Sequence, residues 1–265
     1  MFRQFLLLYP KSQNRSILAS ILAFYFYIEG GMRVSGSAPI QQRLMDISSL
    51  VSKLIRKNFG RGPDSCHAFA KHHFLVFYMR GFLSPMEVIL FEHGKLDHLK
   101  FSRNLVMKSV LENLKGVLEH EFELNVQGFY NDWKFEKNTG MITVVFEKDI
   151  STVEEKLGHF PEYGLLIDEF ERISSLIQKK PKQTEAYQIT PKLYLVKRMG
   201  ILTPIEKALI AKGYQRILLD TLSDMENSYF RLDGRFANLF RQPIADIFVD
   251  WDLKEDHSIT CLLLR

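Results

Sequence analysis

Apolar residues recur at Ile40, Leu44, Ile47, Leu50, Val51, Leu54 and Ile55, a spacing that puts one apolar stripe on a helix over 40–58. Gly60-Arg61-Gly62-Pro63 then stops that helix. Residues 65–71 and 73–80 read as a hairpin turning around Lys71-His72. Ser84-Pro85-Met86-Glu87 opens a second helix as a capping box. Ser84 is the cap, Pro85 sits where its missing N–H is harmless, and Glu87 reaches back to the cap N–H. This helix runs to about residue 121 with a break near Gly94, and strands follow at 124–133 and 141–147, joined by a turn at Asn138-Thr139-Gly140.

The same pattern then recurs. FLVFYMRGFLSPMEVIL (74–90) aligns with LYLVKRMGILTPIEKAL (193–209) at a shift of 119, pairing Gly81 with Gly200, Pro85 with Pro204 and Glu87 with Glu206. Further on the shift is 118, and Asp132-Trp133 falls on Asp250-Trp251, the only two tryptophans of the chain. Upstream, ISSLVSK (47–53) echoes ISSLIQK (173–179) at a shift of 126. The second copy predicts a turn at Thr190-Pro191-Lys192 and a capping box from Thr203 to Glu206. Its helix runs to about 240 with a break near Gly234, and strands follow at 244–251 and 258–264. The expected fold class is therefore α+β. Two tandem α-β-β-α-β-β modules, 32–150 and 151–265, each form a mainly antiparallel four-stranded sheet covered by helices, and the two make a pseudo-symmetric pair.

The first thirty-one residues differ. Ile17–Ile28 is an apolar run preceded by Arg3, Lys11 and Arg15. It is shorter than the roughly 20 residues a spanning helix needs. It reads as a signal or anchor, as a helix, or as leader translated upstream of a true start at Met32. The last is favoured, because codons for Glu29-Gly30-Gly31 mimic a bacterial ribosome-binding site. An intact mass that includes residues 1–31 would refute it.

Composition adds boundaries. Of 265 residues, 46% are hydrophobic and 25% charged, which fits a globular chain with ample core material. The net charge of +4 is spread without long like-charge blocks and does not by itself imply nucleic acid or an anionic surface. Cys66 and Cys261 stand in apolar runs and read as buried free thiols, although a disulfide between them stays open.

Candidate chemistry is sparse. His67, His72 and His73 cluster in sequence, as do His93, Asp97 and His98, but neither set supplies a third ligand at metal spacing. No nucleophile–base order, phosphate loop or paired-carboxylate motif occurs, so no catalytic residue, metal or cofactor is expected. Gly60, Arg61 and Gly62 are candidates for binding an anion through turn N–H groups, against a plain role as helix stop. Trp133 and Trp251 are candidate binding aromatics, against a role as strand-edge rings packing on the neighbouring module. Ser84, Glu87, Thr203 and Glu206 are assigned to capping. Open-sheet RNA binding would use Phe74, Phe77 and Tyr78 beside Lys71 and Arg80, thin support that leaves nucleic acid disfavoured.

GRGPDS (60–65), the hairpin, FLSPMEVIL (82–90), the long helix and YNDWKFEKNTGMITVVFE (130–147) together resemble the MpsC-like family of the Na+-translocating membrane-potential-generating system. The second copy keeps Leu202-Thr203-Pro204-Ile205-Glu206 but lacks GRGP. The resemblance implies a bacterial, cytoplasmic, non-enzymatic accessory or regulatory protein, peripheral at the inner face of the membrane. Its implied partners are a complex-I-like antiporter subunit and that subunit's large soluble partner, in a system linked to membrane potential and bicarbonate uptake. The alternative is a small-molecule or anion sensor with its site in the cleft between the modules.

Overall fold

The computed structural model describes residues 39–150 and 160–265. The run at 1–31 and the start of the second module at 151 lie outside the described residues. In module one, α1 (Ile40–Phe59) leads into the hairpin β1 (Ser65–Lys71) and β2 (Phe74–Arg80). Then come α2 (Pro85–Glu92), α3 (Leu96–Phe122), β3 (Val126–Lys134) and β4 (Thr139–Phe146). Module two repeats the plan with α4 (Tyr163–Ile177), β5 (Gln183–Thr190), β6 (Leu193–Met199), α5 (Pro204–Ala211), α6 (Gln215–Leu232), α7 (Phe236–Phe240), β7 (Ile244–Asp252) and β8 (His257–Leu264). Both sheets are antiparallel, with orders β1-β2-β4-β3 and β5-β6-β8-β7.

The capping boxes form as the sequence implies. The Ser84 N–H donates to Glu87 Oε2 at 2.9 Å, and the Thr203 N–H to Glu206 Oε2 at 2.6 Å. Helix breaks differ between the copies. Gly94 (φ +66°) separates α2 from α3 as expected. Module two is interrupted twice, at Gly234 and also at Gly213, which takes φ +86° and supplies the left-handed stop that only Gly adopts without strain. The expected turn at 138–140 moves upstream. A 3-10 turn over Phe135–Lys137 tucks the buried Phe135 under the sheet, Asn138 takes φ +51°, and Thr139 and Gly140 already belong to β4.

The strands carry continuous apolar runs because both faces of each sheet are covered. On β2, Leu75, Phe77 and Met79 meet the helices of their own module, whereas Phe74 and Val76 meet the second sheet. Tyr187, Leu193, Leu195, Phe248, Ile259 and Cys261 answer from the other side. The molecule is thus four layers, helix–sheet–sheet–helix, with a separate core in each module and a third between the sheets. Each fully buried side chain of this size contributes roughly 1.5–3 kcal/mol, so the inter-sheet layer holds the modules together firmly. Phe74 and Phe77 are wholly buried, so no open aromatic sheet face of the kind RNA binding would need exists at β2.

Candidate functional site

The Asp-Trp repeats lie where the modules meet. Asp132 on β3 accepts a hydrogen bond from the Val249 N–H at 2.8 Å through Oδ2, and Asp250 on β7 accepts one from the Asn131 N–H at 2.6 Å. At the shift of 118, Asn131 corresponds to Val249, so these are one contact made twice about a pseudo-dyad. The other oxygen of each carboxylate accepts the N–H of its own following tryptophan, at 2.7 and 2.8 Å.

Their charge environments differ. Lys134 Nζ stands 2.6 Å from Asp132 Oδ2 and also donates to Asn227 Oδ1 of module two at 2.7 Å. The equivalent position in module two is Asp252, so Asp250 has a like charge where Asp132 has a cation. Burial pushes the Asp250 carboxyl up to about 7, opposed by its two backbone donors and reinforced by Asp132 and Asp252. Between the sheets Thr143 Oγ1 and Cys261 Sγ lie 3.4 Å apart, beside a void of about 10 Å³ bordered by both aspartates. That is space for about one water molecule. At this point the junction is a narrow, polar-studded seam.

Trp133 and Trp251 point away from the seam, each 8% exposed in the core of its own module. The aspartate of each pair crosses to the neighbouring module; the tryptophan does not. Each indole covers a buried arginine instead. Arg103, from α3, has its guanidinium carbon 4.1 Å from the Trp133 ring, with Phe82 and Phe59 on other sides and Glu87 Oε1 at 3.2 Å. Desolvation lowers the Arg103 pKa to about 10. Module two reaches the same end from different elements. Arg198 comes from β6, its Nη2 lies 2.5 Å from Glu226 Oε1 on α6, and Glu226 Oε2 accepts the Trp251 indole N–H at 3.0 Å. Motif reading missed both arginines, because nothing local distinguishes a buried arginine from a solvated one. The signal that was available is the pair of tryptophans, large rings with one polar edge that need company inside a core.

Gly60, Arg61 and Gly62 form the end of α1. Gly60 takes φ +76° as the helix cap. Arg61 pairs with Asp64 at 3.0 Å on the surface. Gly62 folds back onto α1 so closely that a Cβ there would stand 2.9 Å from the Ser52 carbonyl. A groove of about 940 Å³ lies between α1 and β1, and Gly60, Arg61 and Gly62 are not among the residues that line it. Leu44, Met45, Lys53 and Arg56 wall the groove, Cys66, His67, Ala68 and Phe69 line it from β1, and Ile189 and Thr190 of module two close its other side. Lys53 and Arg56, absent from the sequence candidates, are its charged groups.

The remaining candidates are dispersed. His72 and His73 occupy the β1–β2 turn and pack their rings against Tyr187 at 5.4 Å. His73 Nδ1 lies 3.4 Å from Asp149, while burial lowers its pKa. His93 caps the end of α2, and Asp97 and His98 lie on the first turn of α3. Among the described residues no group of three or more His, Cys, Asp or Glu is placed to hold a metal ion. Cys66 and Cys261 are free thiols on different sheets, and burial pushes both up to about 12.

Residues 41–148, from α1 to the end of β4, match the family model described as the Na+-translocating membrane potential-generating system (MpsC). Module two lies outside that match. No curated protein and no solved structure matches the chain. Among the described residues no helix is long and apolar enough to cross a membrane.

Proposed function

We propose that this protein serves a Na+-translocating, membrane-potential-generating system as a non-enzymatic accessory or regulatory protein that docks at the cytoplasmic face of its membrane components. The observation that carries this reading is the family match over the whole of module one. The surface supports docking. Met86 and Ile89 on α2, Phe101 and Leu105 on α3, and Ile205 and Ile217 on module two are large apolar side chains more than half exposed. Side-chain contacts across the modules bring part of this surface together. Lys100 pairs with Asp224 at 3.6 Å, and the Arg216 guanidinium lies 5.6 Å from the Phe101 ring centre. A sensor with its ligand between the modules is the second reading: the seam at the Asp-Trp repeats has room for one water molecule, and the larger groove that both modules border, about 940 Å³, is walled by Lys53 and Arg56.

The test is purification of the tagged full chain at native level from gently solubilised cells, read by mass spectrometry. Recovery of a complex-I-like antiporter subunit or its soluble partner is the expected result. Recovery of the chain alone, with those proteins present in the lysate, overturns stable docking.

A further inference from the structure

We propose that the open edge of β1 is a docking site for an extended acidic peptide of a partner protein, which adds to the first sheet as a fifth strand beside α1. The inference goes beyond the membrane-system reading and stands or falls separately from it.

The backbone supplies the first argument. Among the described residues β1 pairs only with β2, so alternate N–H and C=O groups along its other edge have no partner strand there. Edge strands are normally blunted, and the other three outer strands here are. β3 shifts register between Val126 and Gly128, β5 between Gln188 and Thr190, and β7 between Ile244 and Asp246, each an irregularity that discourages further pairing. β1 alone keeps an unbroken seven-residue register, contains no proline, and is at least partly exposed along its whole length. Seven extended residues present an edge of about 23 Å.

The groove supplies the second argument. Beside that edge lies the space of about 940 Å³ under α1, which exists because β1 presents the small side chains of Cys66, Ala68 and Ala70 toward the helix. Among the described residues no Asp or Glu lines it. Lys53 and Arg56 are exposed on its wall, and neither has an ion-pair partner among the described residues. A strand entering here meets two uncompensated cations and an apolar surface formed by Met45 and Phe69, so it fits a peptide alternating carboxylates with apolar side chains. A second copy of the chain is a poor occupant. Its own β1, Ser65–Lys71, carries no carboxylate and so offers Lys53 and Arg56 no counter-charge.

The experiment uses the full chain and a fluorescein-labelled ten-residue peptide of alternating Glu and Val, followed by anisotropy at low ionic strength. Saturable binding is expected, weakened about tenfold or more by the K53E/R56E variant, whose substitutions lie on an exposed helix face and leave the circular dichroism unchanged. A Lys–Val peptide should show the reverse preference. The Glu–Val peptide with alternate amides N-methylated should lose binding, because strand addition needs its N–H groups. Equal binding of methylated and unmethylated peptides, an unchanged affinity in K53E/R56E, or no saturation overturns the proposal. So does sedimentation showing a dimer of the chain that K53E/R56E dissociates, which would give the edge to a second copy.

Discussion

Asp250 couples the module junction to pH. Its carboxylate is held by the Asn131 and Trp251 N–H groups, with Asp132 and Asp252 as like-charged neighbours and no ion-pair cation among the described residues. Because its pKa in the folded protein is raised, the folded state holds a proton that the unfolded chain releases. The stability it contributes is therefore complete below about pH 4 and is lost as pH rises through about 7. A shift from 3.8 to about 7 corresponds to a ceiling of about 4 kcal/mol. The residue as a whole is only partly buried, so solvent screening reduces the expected effect to about 2–3 kcal/mol. Urea unfolding at pH 5 and pH 8 measures it. Because pH 5 already lies above the ordinary carboxyl pKa, the wild type should lose only part of that, about 1–2 kcal/mol, between the two, and Asp250→Asn, which mimics the neutral acid, should not. His73 titrates in the same window with the opposite sign, since burial lowers its pKa, so the difference between wild type and variant is the quantity that counts. Identical pH slopes in the two proteins would refute the reasoning.

Other consequences follow from the same structure. Arg103→Met leaves Glu87 buried without its cation and should cost about 3–5 kcal/mol in urea unfolding, while R103M/E87Q should recover most of it; two additive losses would show that the pair is not coupled. Gly62→Ala drives a Cβ to 2.9 Å from the Ser52 carbonyl and should cost about 1–3 kcal/mol, read as a lowered Tm; an unchanged Tm would mean the turn relaxes freely. Both thiols should resist a thiol reagent at pH 8 in the native protein and react at once in guanidinium, because burial keeps them protonated; rapid native labelling of Cys261 would show that the sheets separate.

Much of the architecture was readable before any coordinates. Capping boxes at Ser84 and Thr203, the glycine stop at Gly60 and the recurrence of Asp-Trp located the elements and their duplication, because each acts through neighbours within a few residues. The break at Gly213 was missed because a glycine inside a helical pattern is tolerated as often as it terminates one. The runs FLVFYM and ITCLLL are apolar on both faces because each sheet is covered by helices on one side and by the other sheet on the other, which the sequence reading did not draw from them.

What tertiary structure alone decided was which side chains meet. Asp132 finds the Val249 N–H and Asp250 finds the Asn131 N–H across more than a hundred residues of chain. Two modules that align in sequence bury their arginines from different elements, Arg103 from a helix under Trp133 and Arg198 from a strand under the equivalent Trp251. The groove beside the β1 edge depends on the small side chains of Cys66, Ala68 and Ala70 meeting α1. The local pattern determined the elements, since propensity and capping are short-range. Pairing of buried charges and exposure of a strand edge depend on what the rest of the chain brings alongside, and only the folded packing settles that.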